Sequence, residues 1–234
     1  MPRVALVTGG SGALGQAIVH RFLRDGGTVC VPYIVDAERA HLEASLDAAT
    51  TPRVTLERCD VTDDAAMTRL AGAVVERHRR IDVLVTGVGG FAGGGLVETD
   101  RATWDRMLAM NLTSSFTAAR AVVPHMLAAG AGRVVMIASR AVVPPAGGFI
   151  GYTVAKAGVI ALMQALAQEM KGRGVTVNAV APSTMDTPAN RAAMPDADPT
   201  RWVDPRAVAD VVRFLASDAA RAVHGVALPV VGPS

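Results

Sequence analysis

Thr8-Gly9-Gly10-Ser11-Gly12-Ala13-Leu14-Gly15 stands between two runs of different periodicity. Before it, Val4-Ala5-Leu6-Val7 is continuously apolar, the pattern of a parallel strand covered on both faces. After it, Gln16-Ala17-Ile18-Val19-His20-Arg21-Phe22-Leu23 repeats its apolar residues at helical spacing. Strand, glycine turn and helix together give the glycines a meaning. Gly9 suits backbone angles closed to other residues. Gly12 lets a pyrophosphate approach the main chain, and Gly15 lets the helix sit close to the sheet. The helix start adds unpaired N–H groups and a partial positive charge for an anion. The stretch reads as a dinucleotide-binding turn.

The bulk numbers agree with that reading. A chain of 234 residues, half of them apolar, suits one α/β domain spanning 1–234. A net charge of +2 and the lack of a basic stripe argue against nucleic acid as a partner. Cys30 and Cys59 have neither CxxC nor metal spacing and read as small buried thiols, which suits a reducing cytoplasm. The first residues lack the length of a signal peptide, and no run of about 18 apolar, uncharged residues suggests a membrane span. The histidines are scattered, so no metal site is expected.

Further strands are expected at Thr28-Val29-Cys30-Val31, Val54–Arg58, Ile81–Val85, Arg133–Ile137, Val175–Val180 and Gly225–Val230. Helical patterns separate them, the alternation of an α/β domain built on a parallel sheet. The end of the second strand carries Tyr33 and Ile34, where an acid selects NAD by holding the adenosine ribose. Asp36 is read as the cap of a helix over 37–49, with a ribose hydroxyl as its alternative partner, and Arg39 as a solvated residue, with a 2′-phosphate as its alternative. With no acid at the strand end, NADPH is expected to be accepted along with NADH.

Asp60 stands at the carboxyl end of the third strand, where ligands bind in such sheets. Gly89–Gly95, after the fourth strand, is too rich in glycine for a regular element and points into the cleft. Asn111 lies within a helical run, where asparagine is disfavoured unless exposed or used. Tyr152 and Lys156, at i and i+4, share one helix face thirteen residues beyond Ser139. Their helix is apolar nearly all round and so needs a second covering surface, read as another subunit. The stretch Thr187–Asp204 lacks periodicity and reads as a binding loop.

Taken together, the glycine turn, Cys59-Asp60-Val61, Asn111, Ser139, Tyr152 with Lys156, and Pro182 to Thr187 resemble the short-chain dehydrogenase/reductase family over essentially the whole chain. The resemblance implies an α/β fold, a single doubly wound Rossmann-type domain of about seven parallel strands with helices on both faces, assembled as a homodimer or homotetramer. It implies NAD(P)H as cofactor, held by Gly9, Ser11, Gly12, Leu14, Gly15, Tyr33, Asp60, Val61, Gly87, Gly89, Tyr152, Lys156, Pro182 and Thr187. It also implies hydride exchange with a small carbonyl, alcohol or imine-like substrate through Ser139, Tyr152, Lys156 and Asn111.

Elementary chemistry supports these roles. An alkoxide left by hydride transfer needs a proton, and a phenol of pKa about 10 becomes a ready donor or acceptor beside an ammonium. Ser139 would hydrogen-bond the substrate oxygen, and Asn111 would hold a water leading from Lys156. The sequence departs from the family at three places. Ala13 stands at a motif glycine, Thr86-Gly87-Val88-Gly89 replaces Asn-Asn-Ala-Gly, and Ser183 follows Pro182.

Gly12–Gly15, Gly89–Gly94 and Asp186–Arg191 with Trp202 are similar to one branch, dihydropteridine reductase, so activity on a quinonoid dihydropterin is an alternative. A non-catalytic redox sensor is the alternative of another class. Phe91 and Trp202 are expected to flank a flat substrate, a geometry worth about 0.5–1.5 kcal/mol per aromatic pair.

Overall fold

The computed structural model describes residues 3–232, so the outermost residues of the expected 1–234 span lie outside the described residues. Seven parallel strands run β1 Val4–Thr8, β2 Thr28–Tyr33, β3 Val54–Arg58, β4 Val83–Thr86, β5 Gly132–Ile137, β6 Val175–Pro182 and β7 Ala227–Val230. Their order in the sheet is β3-β2-β1-β4-β5-β6-β7. Eight α-helices lie between them: α1 Ala13–Arg24, α2 Asp36–Ala44, α3 Asp64–His78, α4 Arg101–Leu108, α5 Ser114–Ala129, α6 Ile150–Met170, α7 Pro188–Ala193 and α8 Pro205–Leu215.

The apolar strands split their side chains between two cores, as the two-residue repeat of a strand demands. Leu6, Leu84, Val134 and Met136 face α3, α5 and α6, where Met67, Val122 and Met163 meet them. Ala5, Val7, Val83, Val85 and Val135 face the other way, toward Ile18 and Phe22 of α1, Leu42 of α2 and Val212 of α8. This is the doubly wound arrangement expected from the sequence. The crossovers go outward from β1 to β3 and return to β4, so the sheet's topological switch lies between β1 and β4.

Local chemistry sets several boundaries. Asp63 caps α3, accepting from the N–H groups of Ala65 and Ala66, as its position before the apolar run suggests. Asp36 does not cap α2. It is the first helical residue, after an extended Val35, and its carboxylate pairs with Arg58 of β3 at 3.0 Å. The helix also ends at Ala44, short of the expected position 49. Ser45 donates back to the Leu42 carbonyl, and Asp47 gathers Ala49 N–H, Thr50 N–H and the Thr50 hydroxyl into a turn. Such side-chain bonds compete with helix.

By length and composition α6 is apolar enough to cross a membrane, but Val159, Met163, Ala167 and Met170 lie in the core beside the sheet. Asn111 stands in a π-helical turn, Ala109–Thr113, that joins α4 to α5. Turns of this kind concentrate at functional sites.

Candidate active site

The carboxyl ends of β1, β4, β5 and β6 bring the expected residues to one edge of the sheet. At the switch point Gly9 adopts φ +70°, and a Cβ there would lie 2.6 Å from the Gly87 carbonyl carbon. At Gly15 a Cβ would fall 1.9 Å from the Gly9 oxygen, so only glycine lets α1 start this close to the turn. Gly12 is different. Its Cβ would meet only the Gly9 oxygen, at 3.5 Å, so the chain itself makes no steric demand for glycine there. The first turn of α1 has no side-chain cap and no acidic residue, which leaves its first N–H groups without a side-chain acceptor. Ser11 is buried within the turn, and Leu14 packs against the second core.

Ser139 follows β5, and its hydroxyl accepts from the Ala141 N–H at 3.2 Å. Tyr152 and Lys156 occupy the first two turns of α6. Burial pushes the Tyr152 phenol above its ordinary value, while the Ser139 hydroxyl pulls it partly back. The phenol therefore keeps its proton at neutral pH. Lys156 is 5 % exposed and its ammonium donates to the Ile137 carbonyl at 2.8 Å. Desolvation lowers its pKa from 10.5 to about 8. At Tyr152, burial thus outweighs any pull of the ammonium on the phenol.

Asn111 is fully buried. Its amide donates to the carbonyls of Gly90 (3.0 Å) and Met107 (3.1 Å), and its oxygen accepts from the Gly90 N–H at 3.3 Å. The side chain is spent on the backbone of the glycine stretch and of α4. Gly89 is held so near that a Cβ would lie 2.6 Å from the Asn111 oxygen and 3.3 Å from the Lys156 nitrogen. Asn111 thus ties down the segment that lacks the family's usual amides after β4. Gly87 is fixed differently, donating to the Thr8 carbonyl at 3.0 Å.

Tyr33 ends β2 beneath the Arg39 guanidinium, 5.5 Å from the ring centroid. Arg39 is also paired with Glu43. Asp60 accepts from the N–H and hydroxyl of Thr62, and Val61 beside it is buried. Pro182 ends β6. Thr187 caps α7 by accepting from the Asn190 N–H, which leaves its hydroxyl proton free to donate.

The expected loop Thr187–Asp204 contains α7 and a short 3-10 turn, Pro199–Arg201. Val203 closes it by pairing with Thr184 and Asp186. Phe91 stands 5.2 Å from the Tyr152 ring and 5.5 Å from Phe149. Trp202 joins no aromatic pair among the described residues; Phe149 takes the place beside Phe91. The sequence reading missed Phe149, although its i, i+3 relation to Tyr152 is a usable signal. It missed the Ile137 carbonyl and Gly90 as well, and backbone groups leave no signal in a sequence.

A cavity of about 310 Å³ lies at the opposite edge of the sheet, lined by Arg3, Phe22, Asp25, Arg213 and Asp218. Its charges are paired with one another, Arg3 with Asp218 and Arg213 with Asp25.

A family model described as short chain dehydrogenase matches residues 3–198. The chain belongs to this family. It is similar to a 2,5-dichloro-2,5-cyclohexadiene-1,4-diol dehydrogenase of Sphingobium indicum, 32% identical over 98% of this chain and 95% of the relative. It is similar also to a (2S)-[(R)-hydroxy(phenyl)methyl]succinyl-CoA dehydrogenase subunit of Thauera aromatica, 35% identical over 98% and 95%. Among solved structures, levodione reductase superposes with a TM-score of 0.90 at 28% identity, covering 98% of this chain and 96% of that one.

As a short-chain dehydrogenase the chain is an oxidoreductase enzyme, and the family uses nicotinamide dinucleotides. The residues present fit such a group. The α1 start is uncapped, the turn is open at Gly12, and Gly89 leaves room that a side chain would fill beside Lys156.

Proposed function

We propose that this short-chain dehydrogenase exchanges a hydride between NAD(P)H and the carbonyl or alcohol carbon of a small substrate, with Tyr152 as the proton donor. The nicotinamide, when bound, supplies or accepts the hydride. Tyr152 keeps its proton at neutral pH, so its hydroxyl is ready to protonate the oxygen on which charge grows during reduction. Ser139 shares that oxygen as a second donor. Lys156 holds a positive charge beneath the site, and its further N–H groups are free for the nicotinamide ribose. Asn111 keeps Gly89 and Gly90 clear of that space. Gly9, Ser11, Gly12, Leu14, Gly15, Tyr33, Asp60, Val61, Gly87, Pro182 and Thr187 form the remaining wall of the dinucleotide site.

The observation that carries this reading is the convergence of Ser139, Tyr152 and Lys156 at the sheet edge that also holds the uncapped glycine turn. Phe91 and Phe149 beside the phenol favour a substrate with an apolar or planar ring. The relatives named for a cyclohexadiene diol and a phenyl-bearing alcohol support that choice. Trp202 is retained as a substrate residue contributed from the loop end.

The chain works as one catalytic domain in the cytoplasm, where buried Cys30 and Cys59 stay reduced. Phe116 and Val154, exposed on α5 and α6, are covered in a homodimer or homotetramer. Tyr152→Phe tests the mechanism. Turnover of ring ketones, followed by absorbance of the reduced nicotinamide, should fall by at least about 10²-fold, while cofactor affinity holds. Activity within about threefold of the parent removes Tyr152 as the acid.

A further inference from the structure

The end of β2 carries no charge at Tyr33 or Ile34, and no basic residue stands in the turn Thr8–Gly15. The fold brings a charge there from elsewhere. Glu38, in the first turn of α2, reaches the glycine turn, where one carboxylate oxygen accepts from the Ser11 hydroxyl at 2.9 Å. Ser11 is 5 % exposed, so this contact is anchored inside the turn and next to the uncapped start of α1. Glu38 itself joins no ion pair among the described residues. The neighbouring cations are occupied, Arg58 by Asp36 and Arg39 by Glu43. The charge presented at the turn is therefore an unneutralised carboxylate.

We infer that the Ser11–Glu38 pair selects the cofactor, admitting the free ribose hydroxyls of NADH and rejecting the 2′-phosphate of NADPH. The inference rests on reading the glycine turn as the dinucleotide site. A carboxylate accepts hydrogen bonds from ribose hydroxyls, the role that an acid after the second strand plays in dinucleotide folds. Here the acid comes from α2 and is fixed by a serine of the turn. A phosphomonoester brings about two negative charges near neutral pH, which Glu38 repels at short range. The Ser11 proton, already donated to Glu38, is also withdrawn from any phosphate oxygen. This reverses the expectation that NADPH is accepted, which was drawn from the neutral strand end alone.

Equilibrium titration of the purified protein with each reduced cofactor, without substrate, tests the inference through nicotinamide fluorescence. NADH should bind at least about tenfold more tightly than NADPH. Glu38→Gln, which keeps the shape and removes the charge, should tighten NADPH about tenfold and weaken NADH about three- to tenfold, because the ribose hydroxyls lose a charged acceptor. Glu38→Ala should tighten NADPH similarly, and added salt should narrow the gap in the parent protein. Equal affinities in the parent, or an unchanged ratio in Glu38→Gln with NADH still bound, overturns the inference alone. Binding of neither cofactor overturns the dinucleotide reading and the inference with it.

Discussion

Lys156→Met should make the ligand-free protein more stable at neutral pH while abolishing turnover. Burial lowers the Lys156 pKa from 10.5 to about 8. That gap corresponds to about 3 kcal/mol of cost for holding the ammonium inside the fold. The folded state binds this proton more weakly than the unfolded chain. Below about pH 8 the lysine is charged in both states and the whole cost is present; it fades between about pH 8 and about pH 10.5 and is gone above.

Methionine fills similar space without a charge, but it gives up the charged bond to the Ile137 carbonyl, worth about 1.5–3 kcal/mol. The net gain at pH 7 is then at most about 1.5 kcal/mol. Urea unfolding of both proteins, cofactor-free, from about pH 7 to about pH 10 measures it. Over that range the parent should recover about 2 kcal/mol or more relative to the variant, and titrations common to both cancel. A stability difference that stays flat with pH would refute the reasoning.

Asn111→Ala should destabilise the fold by about 2–4 kcal/mol, because the Gly90 N–H and carbonyl lose their partner inside the protein. Urea midpoints measure that loss, and faster proteolysis within Gly89–Gly95 would place it in the segment Asn111 holds. Phe149→Ala should raise KM for ring-bearing ketones by about three- to tenfold with cofactor affinity unchanged, as expected when one aromatic contact is lost. An equal rise for small acyclic ketones would point instead to a general disturbance of Tyr152.

The sequence alone determined the sheet and its edge. The strands are continuous apolar runs, a pattern that requires cover on both faces, and the helices between them carry 3.6-residue periodicity, so a parallel α/β sheet follows from local signals, while its doubly wound order was implied by the family resemblance. Ser139, Tyr152 and Lys156 were singled out by the family resemblance together with their places, Ser139 after a strand end and Tyr152 and Lys156 on one helix face. Gly9 and Gly15 were legible because the turn geometry excludes a Cβ.

Other properties depend on contacts between residues far apart in the chain. The Asn111 amide is consumed by Gly90, across 21 positions. Lys156 bonds a carbonyl 19 residues away, and the desolvation that sets its pKa exists only once α6 lies against the sheet. Glu38 meets Ser11 over 27 positions, and Asp36 leaves its capping role for Arg58 on the neighbouring strand. Propensity and periodicity describe a residue's local preference. The partner of a buried polar group, and hence its charge and protonation, is decided only when packing excludes water and leaves one partner within reach.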